Sequence, residues 1–185
     1  MSDIRGLVIQ SRLEYLEKIA GNDTYNLVLQ QLSEPVRQAV GEQVFPTNLY
    51  PFHLLRDLDS AIGSSIEKPL ETVFREIGNN YAIIILDRYF FNYVKSQNPQ
   101  NFLAQMGNLY HYLWNFGKYT YEKVDNNSTK IKLDYDEDIH KPYCWFIQEF
   151  LKKGVELCGG KSVELTEMDC EAEDNKTCVY RLSWL

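Results

Sequence analysis

The end of the chain, from residue 144 to residue 185, constrains the fold most because it contains all four cysteines. Apolar residues recur at helical spacing over residues 144–155, and Gly159-Gly160 ends this predicted helix. Residues 162–170 and 177–184 then largely alternate apolar and polar side chains, with a polar segment between them. This alternation predicts a β-hairpin that follows the helix.

The predicted hairpin brings two of the cysteines together. If it folds symmetrically about Asp174, Cys170 lies opposite Cys178 across the strand pair. Facing thiols can form a disulfide, bind a metal, or remain reduced and half-buried. Glu167 and Cys144, the latter at the start of the helix, complete a four-ligand set of the type that zinc accepts.

Two features of the spacing restrict this metal site. Cys158 lies fourteen residues after Cys144, about 21 Å along an α-helix, so these two cysteines cannot share one ion. Glu167 and Cys170 point to opposite faces of a regular strand, so a β-bulge or the start of the turn must separate them. His140, four residues before Cys144, is an alternative ligand to Glu167.

Length and charge narrow the class of protein. A chain of 185 residues that is 44% hydrophobic can bury one core, and we expect a single domain over residues 1–185. The net charge of -7 argues against a nucleic-acid or anionic-membrane partner, since either needs clustered Lys and Arg. The longest apolar run, residues 81–86, is too short to insert into a membrane, and the first residues lack a signal-peptide pattern. We therefore expect a cytoplasmic protein with reduced thiols.

The order of the predicted elements indicates an α+β fold. Helical periodicity covers residues 4–20, 24–32, 34–40, 51–66, 69–77, 79–95 and 100–116. The segment 79–95 is apolar on nearly every side, which is typical of a central buried helix. Strand alternation covers residues 118–124 and 130–135, before the helix that Cys144 opens. A helical N-terminal half is thus followed by a β-β-α-β-β antiparallel sheet unit.

The spacing of the cysteines resembles that of a known family. Cys144-Trp145, then Glu167, Cys170 and Cys178, is similar to the C-terminal signature of the 4-vinyl reductase domain family. This family occurs in bacterial sensors of aromatic compounds and in proteins linked to bacteriochlorophyll synthesis. The resemblance implies that Cys144, Glu167, Cys170 and Cys178 bind a structural zinc ion.

The same resemblance implies a cavity for a flat hydrophobic ligand, either an aromatic compound or a tetrapyrrole. The candidate lining residues are Tyr89, Phe90, Tyr110, Trp114 and Trp145. Each of these aromatic side chains could equally fill the hydrophobic core.

The order of elements also resembles haem nitric-oxide-binding domains and the vesicle-tethering TRAPP subunits. The haem domains need an axial histidine on the helix before the sheet, and His111 lies in that region about one position out of step. They also need Tyr, Ser and Arg at alternate positions, where this chain has Tyr135, Glu137 and Ile139. The sequence therefore argues against haem.

Together these features predict a non-enzymatic ligand-binding or regulatory domain with a structural zinc ion and an aromatic-lined pocket. The alternative is an assembly or scaffold protein in pigment or photosynthetic-complex biogenesis, acting as a homodimer or with a related partner. The sequence contains no nucleophile elbow and no glycine-rich phosphate loop, so nothing in it indicates catalysis.

Overall fold

The computed structural model describes residues 2–185, which form eight α-helices and six β-strands. These residues divide into two compact units. The first unit extends to Val73 and also contains Tyr112–Asn115, whereas the second contains Phe74–His111 and Phe116–Leu185. The predicted α+β class is confirmed, because helices dominate the first half and an antiparallel sheet forms late in the chain.

The first unit combines a short strand pair with helices. Its elements are β1 (Asp3–Arg5), α1 (Gly6–Tyr15), α2 (Asn22–Gln31), α3 (Glu34–Gly41), β2 (Leu49–Pro51) and α4 (Phe52–Ser65). The two strands pair antiparallel, and one π-helical turn, Leu16–Ala20, extends α1. In its interior, Arg12 Nε donates to Asp59 Oδ1 at 2.9 Å and Arg12 Nη2 donates to Asp59 Oδ2 at 3.1 Å. Both side chains are fully buried, so this pair is closed to solvent.

The sheet lies in the second unit. The remaining elements are α5 (Leu70–Arg88), α6 (Phe91–Val94), α7 (Pro99–Leu113), β3 (Lys118–Lys123), β4 (Ser128–Asp134), α8 (Lys141–Leu157), β5 (Glu164–Asp169) and β6 (Cys178–Ser183). The strand order is β3-β4-β6-β5, with every neighbouring pair antiparallel. The predicted β-β-α-β-β unit is therefore present, with α8 between its two strand pairs.

Two glycines set the position of α8 in the second unit. A Cβ at Gly78 of α5 would collide with the backbone carbonyl of Phe146, and one at Gly154 of α8 would collide with the ring of Phe102. Glycine at these positions lets helices approach closely because it has no side chain. Tyr81 of α5 packs at 5.3 Å from Phe146, measured between ring centroids. The helix that carries Cys144 is thus held by packing along its length.

The structure corrects three predictions about the helical half. The helix expected over residues 4–20 begins at Gly6, because Ile4 pairs with Tyr50 in the strand pair. The break expected near Gly78 does not occur, and α5 continues to Arg88 because that glycine serves helix packing. The segment 79–95 is also not buried on every side, since the side chain of Tyr89 is 53% exposed.

Within residues 2–185, no helix is both long and apolar enough to cross a membrane.

Candidate metal centre

The start of α8 and the end of the β5–β6 hairpin bring three cysteines together. Cys144 Sγ lies 3.7 Å from Cys170 Sγ and 3.9 Å from Cys178 Sγ. All three are buried, free thiols, and their sulfur atoms lie within 4.8 Å of one another. Zinc binds thiolate sulfur at about 2.3 Å, which places the sulfurs of a tetrahedral site about 3.8 Å apart. The two distances from Cys144 Sγ therefore match the sulfur spacing of a tetrahedral zinc site.

The register of the hairpin explains how Cys170 reaches this position. Glu167 pairs with Tyr180 and Asp169 pairs with Val179, so the register shifts at Met168. The bulge that the zinc interpretation required is thus present. It changes the alternation of side chains, and the carboxylate of Glu167 lies within 4.8 Å of Cys170 Sγ.

The turn of the hairpin holds the third sulfur. After Cys170, the chain forms a 3₁₀ turn over Glu171–Glu173, and Asp174 adopts a left-handed conformation with φ 64°. This turn allows the backbone N–H of Glu171 to donate a hydrogen bond to Cys178 Sγ at 3.2 Å. Asp174 is the residue about which the sequence predicts the hairpin to fold.

Glu167, the fourth predicted ligand, lies at the edge of the cysteine cluster within a polar network. Lys141 Nζ donates to its Oε2 at 2.8 Å, and Gln148 Nε2 donates to its Oε1 at 2.9 Å. Lys141 Nζ also lies 2.7 Å from Glu173 Oε1. The ligand atoms of Glu167, Cys170 and Glu173 lie within 4.8 Å of one another, so two carboxylates border the thiols.

The three thiols differ in acidity because of their hydrogen bonds. A hydrogen bond from Cys144 and one from the Glu171 N–H lower the pKa of Cys178 to about 7, although burial opposes this shift. The hydrogen bond to Cys178, together with burial, raises the pKa of Cys144. Burial raises the pKa of Cys170 to about 11. Cys178 is therefore the first thiolate, and a bound cation would have to displace protons from the other two.

The remaining two candidate ligands lie apart from this centre. Cys158 is buried with its Sγ 4.0 Å from the backbone oxygen of Tyr93. The half-buried His140 packs its ring 6.2 Å from the ring of Tyr143. Over residues 2–185, the groups of potential ligands at the centre consist of cysteines and glutamates and do not include His140.

The five predicted pocket residues have different surroundings. Tyr89 is exposed after the end of α5, and Phe90 packs edge-on against Tyr93 at 6.0 Å. Trp114 is buried beside β1, since it bridges to Ile4. Trp145 is half-buried next to Cys144. A shared pocket among them therefore stays a prediction.

Tyr110 belongs to a group of buried tyrosines that the sequence analysis missed. It packs 6.5 Å from Tyr135, whose ring lies 5.6 Å from that of Tyr143. Tyr180 of β6 is also fully buried. Aromatic rings thus line the interior side of the cysteine cluster. Strand alternation could have identified Tyr180, because it lies two residues after Cys178 on the same face of β6.

The polar residues around Glu167 were also missed. Lys141, Cys144 and Gln148 lie at positions i, i+3 and i+7 of α8, so they share one face of the helix. This spacing is visible in the sequence and could have indicated that the face of Cys144 continues as a polar stripe.

Solved structures show which fold this is. An Fe(II) unliganded H-NOX protein from K. algicida matches with a TM-score of 0.75 at 12% identity, covering 98% of this chain and 97% of that chain. An oxygen-binding H-NOX domain related to soluble guanylate cyclases, in its oxygen complex, matches with a TM-score of 0.72 at 14% identity, covering 98% and 95%. The chain has the fold of an H-NOX domain. No family model matches the sequence, and no curated protein matches it.

The H-NOX fold overturns one prediction. The sequence argued against haem, yet the structures that share this fold include one from work on the function of haem distortion in the H-NOX family, with a TM-score of 0.75 at 14% identity, covering 98% of this chain and 95% of that chain. The prediction against haem is therefore wrong at the level of the fold. The prediction against haem depends on two motifs, whereas the fold persists at identities where motifs are lost.

The residues of this chain fit haem incompletely. His111 lies on α7, the helix before the sheet, but its side chain is exposed and contacts the ring of Tyr110. Glu137 is half-buried and Ile139 is buried at the positions where the resemblance called for Ser and Arg. The prediction of the finer resemblance, to the 4-vinyl reductase family, rests on Cys144, Glu167, Cys170 and Cys178 alone.

Proposed function

We propose that this chain is a non-enzymatic, small-molecule-binding or regulatory domain in which a structural zinc ion joins α8 to the β5–β6 hairpin. The ligands are Cys144, Glu167, Cys170 and Cys178. The observation that carries the proposal is the separation of the sulfurs, 3.7 and 3.9 Å from Cys144 Sγ, which matches a tetrahedral zinc–thiolate site.

Burial favours a structural role for this zinc ion. The three sulfurs are buried, and the carboxylate of Glu167 lies within 4.8 Å of Cys170 Sγ, so a proposed fourth protein ligand is near the sulfurs. A catalytic zinc site instead keeps one position open for water or substrate. The ion would therefore hold the hairpin turn against the first turn of α8.

The fold supports a small-molecule ligand. Among the structures that share it is a domain solved as its oxygen complex. The aromatic residues proposed to contact a hydrophobic ligand are Tyr89, Phe90, Tyr110, Trp114 and Trp145. Tyr110 has the strongest support, because it lies in the buried tyrosine group that borders the cysteine cluster.

Metal analysis of the purified protein tests the zinc centre. We expect about one zinc per chain, since one four-ligand site binds one ion. Cys178→Ser should lose this zinc, whereas Cys158→Ser should retain it because Cys158 lies elsewhere. A wild-type protein that is folded and free of zinc, even after zinc is added under reducing conditions, would contradict the proposal.

An absorption spectrum tests the class of ligand. The protein would be purified from cells supplied with haem, and the spectrum would be compared with that of His111→Ala. A Soret band that is lost in His111→Ala identifies haem held by α7. A pigment that is retained in His111→Ala but lost in Tyr110→Leu identifies a ligand among the buried tyrosines.

A second candidate function is assembly through pairing of two copies. Three large apolar side chains of the second unit are exposed within nine residues of the chain, namely Ile83, Tyr89 and Phe91. Phe91 also lines an open cleft with Val94 and Leu157. Sedimentation of the wild type and of Tyr89→Ser/Phe91→Ser would reveal a dimer that depends on this surface.

A further inference from the structure

The four ligands of the proposed zinc centre carry more negative charge than the zinc ion neutralises. Three thiolates and one carboxylate carry four negative charges, whereas the zinc ion carries two positive charges. Two negative charges therefore remain in a site whose sulfurs are buried. Buried charge is costly unless it is paired and hydrogen-bonded, so a centre of this composition needs a nearby cation.

Lys141 is placed to meet this need. Its Nζ lies 2.8 Å from Glu167 Oε2 and 2.7 Å from Glu173 Oε1, and these two carboxylates raise its pKa although burial opposes this shift. Its side chain is largely buried, with a relative exposure of 23%. One ammonium group thus contacts a proposed ligand carboxylate and a neighbouring carboxylate.

The position of Lys141 in its helix gives the second reason. Lys141 is the first residue of α8, where the positive end of the helix dipole disfavours a cation. The helix itself therefore gains nothing from a lysine at this position. The carboxylates and the cysteine cluster account for its place.

Lys141 also leaves Glu167 able to bind the ion. Each carboxylate oxygen has two lone pairs, and Glu167 uses one on each oxygen for Lys141 and Gln148. Outer hydrogen bonds of this kind fix the orientation of a ligand carboxylate, and their removal commonly costs 10- to 100-fold in metal affinity.

We propose that Lys141 is a positioning and charge-compensating residue of the metal centre, which orients Glu167 and offsets the excess negative charge of a bound divalent cation. This inference rests on the proposed zinc site. The opposite role would be competition, in which Lys141 occupies Glu167 and must be displaced by the metal. Removal of Lys141 would then tighten metal binding.

Titration of the metal-free protein with zinc, in the presence of a competing chelator, distinguishes these roles. Lys141→Met and Lys141→Gln should each lower zinc affinity about 10- to 100-fold while the stoichiometry stays at about one. Lys141→Arg should restore most of the affinity, because it keeps the charge. Lys153→Met is the matched control, since Lys153 lies on the same helix with similar exposure and pairs with Glu156.

A cobalt(II) titration separates a positioning role from a general structural one. The thiolate-to-cobalt absorption of Lys141→Met should keep its wild-type intensity, because all three sulfurs remain, and its metal-free unfolding midpoint should match that of Lys153→Met. Unchanged or tighter zinc binding in both Lys141→Met and Lys141→Gln would overturn the inference while leaving the zinc site intact. A wild type that binds neither zinc nor cobalt would overturn the proposed function itself, and with it this role for Lys141.

Discussion

Each of the two units contains a buried group of polar side chains. The two groups differ in whether their members carry opposite charges or are of one kind. In the first unit, Arg12 and Asp59 satisfy each other through two hydrogen bonds and are fully buried. In the second unit, Cys144, Cys170 and Cys178 bring together three groups of the same kind, and Lys141 pairs with the neighbouring carboxylates of Glu167 and Glu173. In the first group the two charges balance each other, whereas the second group consists of side chains that can bind a metal ion.

This difference distinguishes an ion pair that belongs to the packed interior from a cluster that is a candidate binding site. In the pair of Arg12 and Asp59, each buried charge has a partner of opposite sign, so no excess charge remains to attract an ion. Three converging thiols can lose protons to a cation that they bind. The carboxylate of Glu167 attracts a cation, although it raises the pKa of Cys170. Burial of polar side chains alone therefore does not indicate function, but an unmatched set of ligand atoms does.

The largest expected effect concerns the matched pair. Asp59→Ala leaves the guanidinium of Arg12 buried without its partner, which should lower the free energy of unfolding by about 3 to 5 kcal/mol. Urea denaturation measures this loss. The double variant Arg12→Met/Asp59→Leu should recover most of it, and zinc stoichiometry should not change in any of these proteins that fold. Loss of zinc in the folded double variant would show that the Arg12–Asp59 pair contributes to zinc binding, which contradicts the comparison.

Removal of zinc should have the next largest effect. At free zinc about a hundredfold above its dissociation constant, the bound ion stabilises the folded chain by about 2.7 kcal/mol. A chelator should therefore lower the melting temperature of the wild type but leave that of Cys178→Ser unchanged. An equal response of both proteins would show that the chelator acts elsewhere.

A smaller effect follows from moving α8 without touching a ligand. In Gly154→Ala, the new methyl group meets the ring of Phe102, which should cost about 1 to 3 kcal/mol and weaken zinc binding because α8 carries Cys144. Gly41→Ala is the control, since nothing lies near the position of its Cβ. Calorimetry and a zinc titration of both variants would check this, and equal zinc affinities would show that the centre tolerates displacement of the helix.

The smallest expected effect is a difference in zinc affinity between variants of the two carboxylates that lie beside the thiols. Glu167→Gln should lower zinc affinity markedly, because it removes a charged ligand. Glu173→Gln should change it only slightly, since the Glu173 side chain is 60% exposed and contacts Lys141 at the rim. Competitive zinc titrations compare them directly. The reverse order of effects would make Glu173 the fourth ligand.

The sequence predicts the second unit better than the first. Alternation and turn residues locate β3 to β6 within a few residues, and the symmetry about Asp174 predicts the register that Asp169 and Val179 adopt. The three-residue strands β1 and β2 are too short to produce a periodic signal. In the sequence, Gly78 suggests a helix break. In the structure it allows close packing against the backbone of Phe146, which is distant along the chain.

The candidate site is predictable in part for the same reason. The three clustered cysteines follow from local patterns in one helix and one hairpin, whose geometry is fixed by period and register. The tyrosines around them are brought together by packing between helices and strands, as Tyr110 and Tyr135 show. No local pattern encodes such contacts, which explains why the predicted aromatic set differs from the buried tyrosine group.

The bulge at Met168 has a consequence beyond the placement of Cys170. β5 is an outer strand of the four-stranded sheet, so one side of its backbone has free hydrogen-bonding groups that a second polypeptide could join. An irregular outer strand is a poor template for such joining, because the row of donors and acceptors is interrupted. The same irregularity that directs a side chain inward thereby disfavours the addition of another strand along β5.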